Sequence, residues 1–83
     1  MKFELSDHAR LRMRERKIEP AWLERAIAKP DRCEPDEDDP AMEHRLAAIA
    51  EQGYRVLRVV CDPRATPLKI VTIHFDRSMK GKL

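Results

Sequence analysis

Two helix-length segments near the amino end and three later runs dense in β-branched residues predict an α+β protein, with two N-terminal helices packed on a three- to four-stranded antiparallel meander sheet. The helical segments hold good helix formers and no interior Gly or Pro, while the strand runs hold Val56, Val59, Val60, Ile70, Val71, Thr72 and Ile73. At 83 residues there is room for one domain, residues 1–83, because a chain this short buries only about 60% of its unfolded surface.

Met1 to Leu5 alternates as a short strand or extended lead-in. Ser6 reads as an N-cap, and Asp7 places a negative charge in the first turn of a helix over about 7–17. Pro20 suits the opening of a second helix over about 20–28, whose Trp22, Leu23, Ala26 and Ile27 form one apolar stripe before Pro30 stops it. Asp31 to Pro35 is a candidate short strand, and 35–43 a Pro- and acid-rich loop expected to be mobile. Strands are expected over about 44–50, 54–61 and 68–76. Residues 42–52 alone also suit a helix, and the turn at Gly53 favours strand. The basic tail from Ser78 is expected to fray.

Alternation divides each strand between two faces. Leu57, Val59 and Cys61 with Val71, Ile73 and Phe75 form the apolar sets expected under the helices, in a register pairing Leu57 with Ile73. The other face then gathers Tyr54, Val56, Arg58 and Val60 beside Leu68, Ile70, Thr72 and His74, joined by His44, Leu46 and Ala48.

Hydrophobic residues make up 42% and charged residues 39%, too apolar for a disordered chain and too charged for a membrane protein. No apolar run approaches the roughly 20 residues of a membrane span, and Met1 to Leu5 carries no signal core, so the cytoplasm is expected. Cys33 and Cys61 stand alone and read as free thiols, with no metal or cofactor expected. The net charge of +2 hides a segregation: residues 1–32 carry +3, residues 33–44 carry −6 and residues 45–83 carry +5. A basic body of this kind suits RNA or an acidic protein partner, or is simply a solvated surface.

His8, Arg12 and Arg16 lie four residues apart along one helix face, with Leu11 and Glu15 beside them. Such a line offers an imidazole for proton transfer and planar guanidinium forks for phosphate. It equally suits a structural role, His8 in the first turn and the arginines paired with Glu15 or Glu19.

The run SDHARLRMRERKIEPAWLERAIAKPD resembles the N-terminal signature of the small bacterial proteins grouped as domain of unknown function 4258, in its helix-opening His8, the pair Arg12 and Met13, then Arg16, Ile18 and the Pro30–Asp31 stop. HRLAAIAEQGYRVLRVVCD and LKIVTIHFD resemble that family's C-terminal meander. Lys17 stands where the family often has Gly, and the acidic residues 36–39 are a local embellishment. At the level of fold the family resembles the RelE-like and barnase-like group, many of which are metal-independent ribonucleases, including the toxins of toxin–antitoxin pairs.

That resemblance implies an RNA-directed, toxin-like ribonuclease; for the acid, base and cationic clamp that such chemistry needs, the candidates are His8 and His74 with Arg12, Arg16 and Arg58. Arg10, Arg14, Tyr54 and Lys69 are the residues expected to add nucleic-acid contacts. The alternative is a non-catalytic basic domain that holds nucleic acid or an acidic, antitoxin-like protein, with the acidic loop competing for the same arginines. The expected state is a monomer, or a homodimer through a sheet edge or the apolar floor. The enzymatic reading requires that His8 and His74 reach one cleft, which a helix packed squarely on the opposite face would prevent.

Overall fold

The structure, a computed structural model, describes residues 2–83, so Met1 of the expected lead-in lies outside the described residues. Strand β1 (Phe3–Leu5) is followed by helices α1 (Asp7–Glu15) and α2 (Pro20–Ala28), then strands β2 (Arg32–Pro35), β3 (Glu43–Ile49), β4 (Arg55–Asp62) and β5 (Leu68–Phe75). The α+β class is as expected, but the sheet has five strands in the order β1-β5-β4-β3-β2, and it is mixed. β1 runs parallel to β5, pairing Leu5 with Ile70, while the other neighbours are antiparallel.

Ser6 ties these levels together. Its Oγ accepts from the Ala9 amide at 3.0 Å as the N-cap of α1 and donates to the Val71 carbonyl at 2.8 Å. Its own amide donates to the Ile70 carbonyl at 2.9 Å, so the start of α1 is stapled to β5 where β1 ends. α1 stops at Glu15 rather than Lys17, because Lys17 adopts a left-handed backbone, φ 54°. The Ile18 amide then reaches the Met13 carbonyl at 2.9 Å and buried Ile18 closes the end of the helix, a Schellman arrangement with Lys in the place glycine favours. In α2 the Ile27 carbonyl, left over at the helix end, accepts from Arg45 of β3 at 3.0 Å.

The buried apolar stripe of α2 lies on β3 and β4, whereas α1 packs along β5 and β1. Leu57, Val59 and Cys61 enter the core under the helices as expected, with Ala47, Ile49, Ile70 and Ile73. Two expectations about β5 need correction. Leu57 pairs with Phe75 rather than Ile73, a two-residue offset that preserves which side each residue faces. A bulge next to Val60 and Cys61 leaves Val71 without an opposite partner, so Ile70 turns into the core and Val71 does not.

The opposite face buries Leu46, Val56 and Val60. It is backed in part by the chain after β5: the Asp76 amide donates to the Val56 carbonyl at 2.8 Å, and Arg77–Met79 form a short 3-10 turn against β4. Arg32 at the far edge approaches the Lys82 carbonyl of the tail at 3.5 Å. The acidic loop makes several hydrogen bonds of its own. The Asp36 carboxylate accepts from the Asp38 and Asp39 amides, both at 3.1 Å, and from His44 Nε2 at 2.6 Å, while Arg64 bonds Asp39 at 3.1 Å. Among the described residues no helix is long and apolar enough to cross a membrane.

Candidate functional site

β1 covers β5 only as far as Ile70, which leaves the stretch Thr72 to Phe75 at the sheet margin. The staple at Ser6 sets α1 beside this margin instead of across the sheet centre. The space between them is an open cleft of about 470 Å³, lined by His8, Arg12 and Arg16 from α1 and by Thr72, Ile73, His74 and Phe75 from β5, with Arg55 and Arg77 completing the wall. His8 and His74 therefore line one cavity. His8 Nε2 lies 3.0 Å from Thr72 Oγ1, a hydrogen bond that turns the imidazole toward β5.

The lining holds four guanidinium groups and two imidazoles and no carboxylate. Arg12 bonds Glu15 at 2.8 Å, but both side chains are well exposed and such a pair is worth about 0–1 kcal/mol, so a phosphate can displace it. Arg16 and Arg77 make no ion pair among the described residues. Arg55 lies over the Phe75 ring, 4.1 Å from its centroid, and Trp22 meets the same ring edge-on at 6.0 Å. An anion entering the cleft thus meets converging donors with no acidic side chain on its walls.

His74 is exposed at the sheet margin, yet desolvation of its ring by the packed neighbours lowers its pKa below the ordinary range, and the positive charges of Arg58 and Arg16 act in the same direction, against an opposing pull from Asp76. His74 is accordingly neutral at neutral pH and able to accept a proton. Asp76 is held below the usual carboxylate range by the Ser78 hydroxyl, which donates at 2.6 Å, and by Arg58 Nε at 2.9 Å.

Arg58, expected in the clamp, does not line the cleft. It stands opposite His74 in the β4–β5 register, but its guanidinium is taken up by Asp76 at 2.9 Å, Glu34 at 2.9 Å and His44 Nδ1 at 2.8 Å. Because Arg58 donates to Nδ1, the proton of neutral His44 sits on Nε2 and goes to Asp36. The acidic segment therefore engages Arg58 through Glu34 and Arg64 through Asp39, and not the arginines of α1.

The four residues expected to add nucleic-acid contacts also lie away from the cleft lining. Arg10 and Arg14 are exposed on other sides of α1, and Lys69 is exposed on β5 where β1 and β4 flank it, opposite Glu4 and Asp62. Tyr54 precedes β4 in a left-handed conformation, φ 63°, and borders a groove with Trp22 and Arg25 on the α2 side. Sequence reasoning missed Arg55 and Arg77. Arg55 had a signal: it is the one cation in the alternating set Arg55, Leu57, Val59, Cys61, so it marks where the apolar row meets solvent. Among the described residues no group of three His, Cys, Asp or Glu could hold a metal ion; Cys33 is exposed and Cys61 buried.

No curated protein and no solved structure matches this chain. A family model, Domain of unknown function (DUF4258), matches residues 5–75, a span from the last residue of β1 to the last of β5 that contains every cleft residue except Arg77. By that match over most of its length, the chain belongs to the family described as Domain of unknown function (DUF4258).

Proposed function

We propose that the protein is a ribonuclease that works without a metal ion, with the cleft beside β5 as its active site. The observation that carries this reading is the sharing of one carboxylate-free cavity by His8, His74 and four arginines. Transesterification of RNA needs a base for the 2′-hydroxyl, an acid for the leaving oxygen and cations for the charge that gathers on phosphorus. His74, neutral at neutral pH, accepts the 2′-hydroxyl proton as that oxygen attacks phosphorus. His8 serves as the acid, giving a proton to the 5′-oxygen as the P–O5′ bond breaks. The products are a 2′,3′-cyclic phosphate and a 5′-hydroxyl end, and proton exchange with water restores both imidazoles. Arg12, Arg16 and Arg77 face the non-bridging oxygens.

The resemblance of N-terminal helices packed on a largely antiparallel sheet to the RelE-like and barnase-like group adds a fold-level argument for RNA chemistry, and with it the toxin reading and an acidic antitoxin-like partner. Incubation of the purified protein with RNA in EDTA tests the chemistry. Wild type yields cyclic phosphate ends, and His8→Ala and His74→Ala each lower the rate by about 10²–10⁴-fold. Equal cleavage by all three proteins refutes the assignment. RNA binding that weakens with salt but gives no product leaves the non-catalytic basic domain as the better description. Growth arrest on induction, relieved by the neighbouring open reading frame, tests the toxin reading separately.

A further inference from the structure

The cleft does not end at Phe75. A second cavity of about 210 Å³ lies on its far side, lined by Arg55, Phe75, Asp76, Arg77 and Lys80, and it shares Arg55, Phe75 and Arg77 with the first. The wall between the two is an aromatic ring with the Arg55 guanidinium carbon 4.1 Å over its centroid, and Trp22 backs the ring from the core. The outer wall comes from the turn after β5, which the Asp76 carboxylate fixes by accepting from the Ser78 amide at 3.0 Å and the Ser78 hydroxyl at 2.6 Å. That turn lies beyond residues 5–75, the span matched by the family.

A cavity bounded by a flat ring, a flat cation, two further basic side chains and one carboxylate, Asp76, that is already taken up by Arg58 and Ser78 presents the chemistry that single-stranded nucleic acid uses: bases stack on aromatic and guanidinium planes while cations follow the backbone. A base still paired in a duplex has both faces covered by its neighbours and cannot be laid on such a wall. We propose that the Arg55–Phe75 wall, with Arg77 and Lys80, is a stacking subsite for one unpaired nucleobase next to the scissile phosphate, and that the substrate class is therefore single-stranded RNA. The inference rests on the nucleolytic reading of the neighbouring cleft for its RNA, but it makes its own binding claim.

The test uses two probes. A short oligodeoxynucleotide carrying 2-aminopurine cannot be cleaved by a 2′-hydroxyl route, so its quenching on binding reads the subsite alone. The wild type binds it as a single strand at least about tenfold more tightly than as a duplex. Arg55→Lys, which keeps the charge and loses the plane, weakens single-strand binding and quenching by about fivefold or more and narrows the gap. Lys80→Ala, at an exposed position, weakens binding with the quenching kept. The second probe is the same sequence as RNA, single-stranded or in a hairpin stem, assayed for cleavage. Equal single-strand and duplex binding, or quenching unchanged in Arg55→Lys, overturns the subsite even where RNA is cut. Selective binding with quenching but uncut RNA upholds the subsite and removes the nuclease reading. Absence of both binding and cleavage removes both.

Discussion

Asp76 joins the sheet to the cleft, and substituting it gives two separable effects. Its carboxylate, in a side chain 17% exposed, accepts from Arg58 Nε at 2.9 Å, from the Ser78 amide at 3.0 Å and from the Ser78 hydroxyl at 2.6 Å. Asp76→Ala removes a charge-assisted hydrogen bond to a guanidinium that is itself only 14% exposed, worth about 1.5–3 kcal/mol, and a capping interaction worth about 1 kcal/mol. The expected loss is about 3 kcal/mol, a fall in Tm of roughly 10–20 °C for a domain of this size. Asp76→Asn keeps the cap, since Asn and Asp cap equally well, and loses the charge, so roughly half that loss is expected. It also removes the negative charge that supports protonation of His74, whose pKa falls further and carries the acid limb of RNA cleavage to lower pH. Thermal melts followed by circular dichroism give the first effect and rate against pH the second. Equal destabilisation by Ala and Asn, or an acid limb that moves upward in Asp76→Asn, refutes this account of the network.

Lys17→Gly relieves a left-handed conformation that costs an L-residue about 1–2 kcal/mol, less the extra chain entropy of glycine, so Tm rises by roughly 3–6 °C; a fall contradicts the assigned helix end. Arg16→Ala reduces the salt dependence of oligonucleotide binding by about one unit of log slope, whereas Arg10→Ala, away from the cleft, changes it less; fluorescence titrations at several salt concentrations measure both. Stability falls in two stages as pH drops. The contribution from the lowered pKa of His74 is present above its ordinary 6.5 and is lost below it, and those of Asp36 and Asp76 are present above 3.8 and lost as pH falls through their lower folded values. Urea unfolding at about pH 8, 5 and 3 checks the order, and greatest stability at the middle pH contradicts it.

What could be read from the sequence was local. The Ser6 cap, Pro20 at the head of α2, the stripe Trp22, Leu23, Ala26 and Ile27, and the alternation of β4 are each specified within a few residues, and the structure has them. Parity also placed Arg58, His74, Thr72 and His44 on one side of the sheet, which the register upholds. What escaped was set by partners far along the chain. β1 pairs with β5 across 65 residues, and nothing in three residues of strand announces a parallel neighbour. The bulge at Val71 inverts Ile70 and Val71 without any local mark, both being β-branched and apolar. Arg58 looked available for substrate because Glu34 and Asp76, which occupy it, arrive from β2 and from beyond β5. Arg77 was overlooked for the opposite reason: it lies outside every periodic segment, and only the Asp76 turn carries it to the cleft.

The central claim is that two of the three histidines share an anion site while the third does not. Long-range nitrogen-detected NMR of the imidazole rings, recorded while a cytidine 3′-monophosphate probe is added, tests it directly. Resonances of His8 and His74 should move together and fit one dissociation constant, with His44, held between Asp36 and Arg58, staying still. Independent titration of His8 and His74, or a shift in only one of them, contradicts the account.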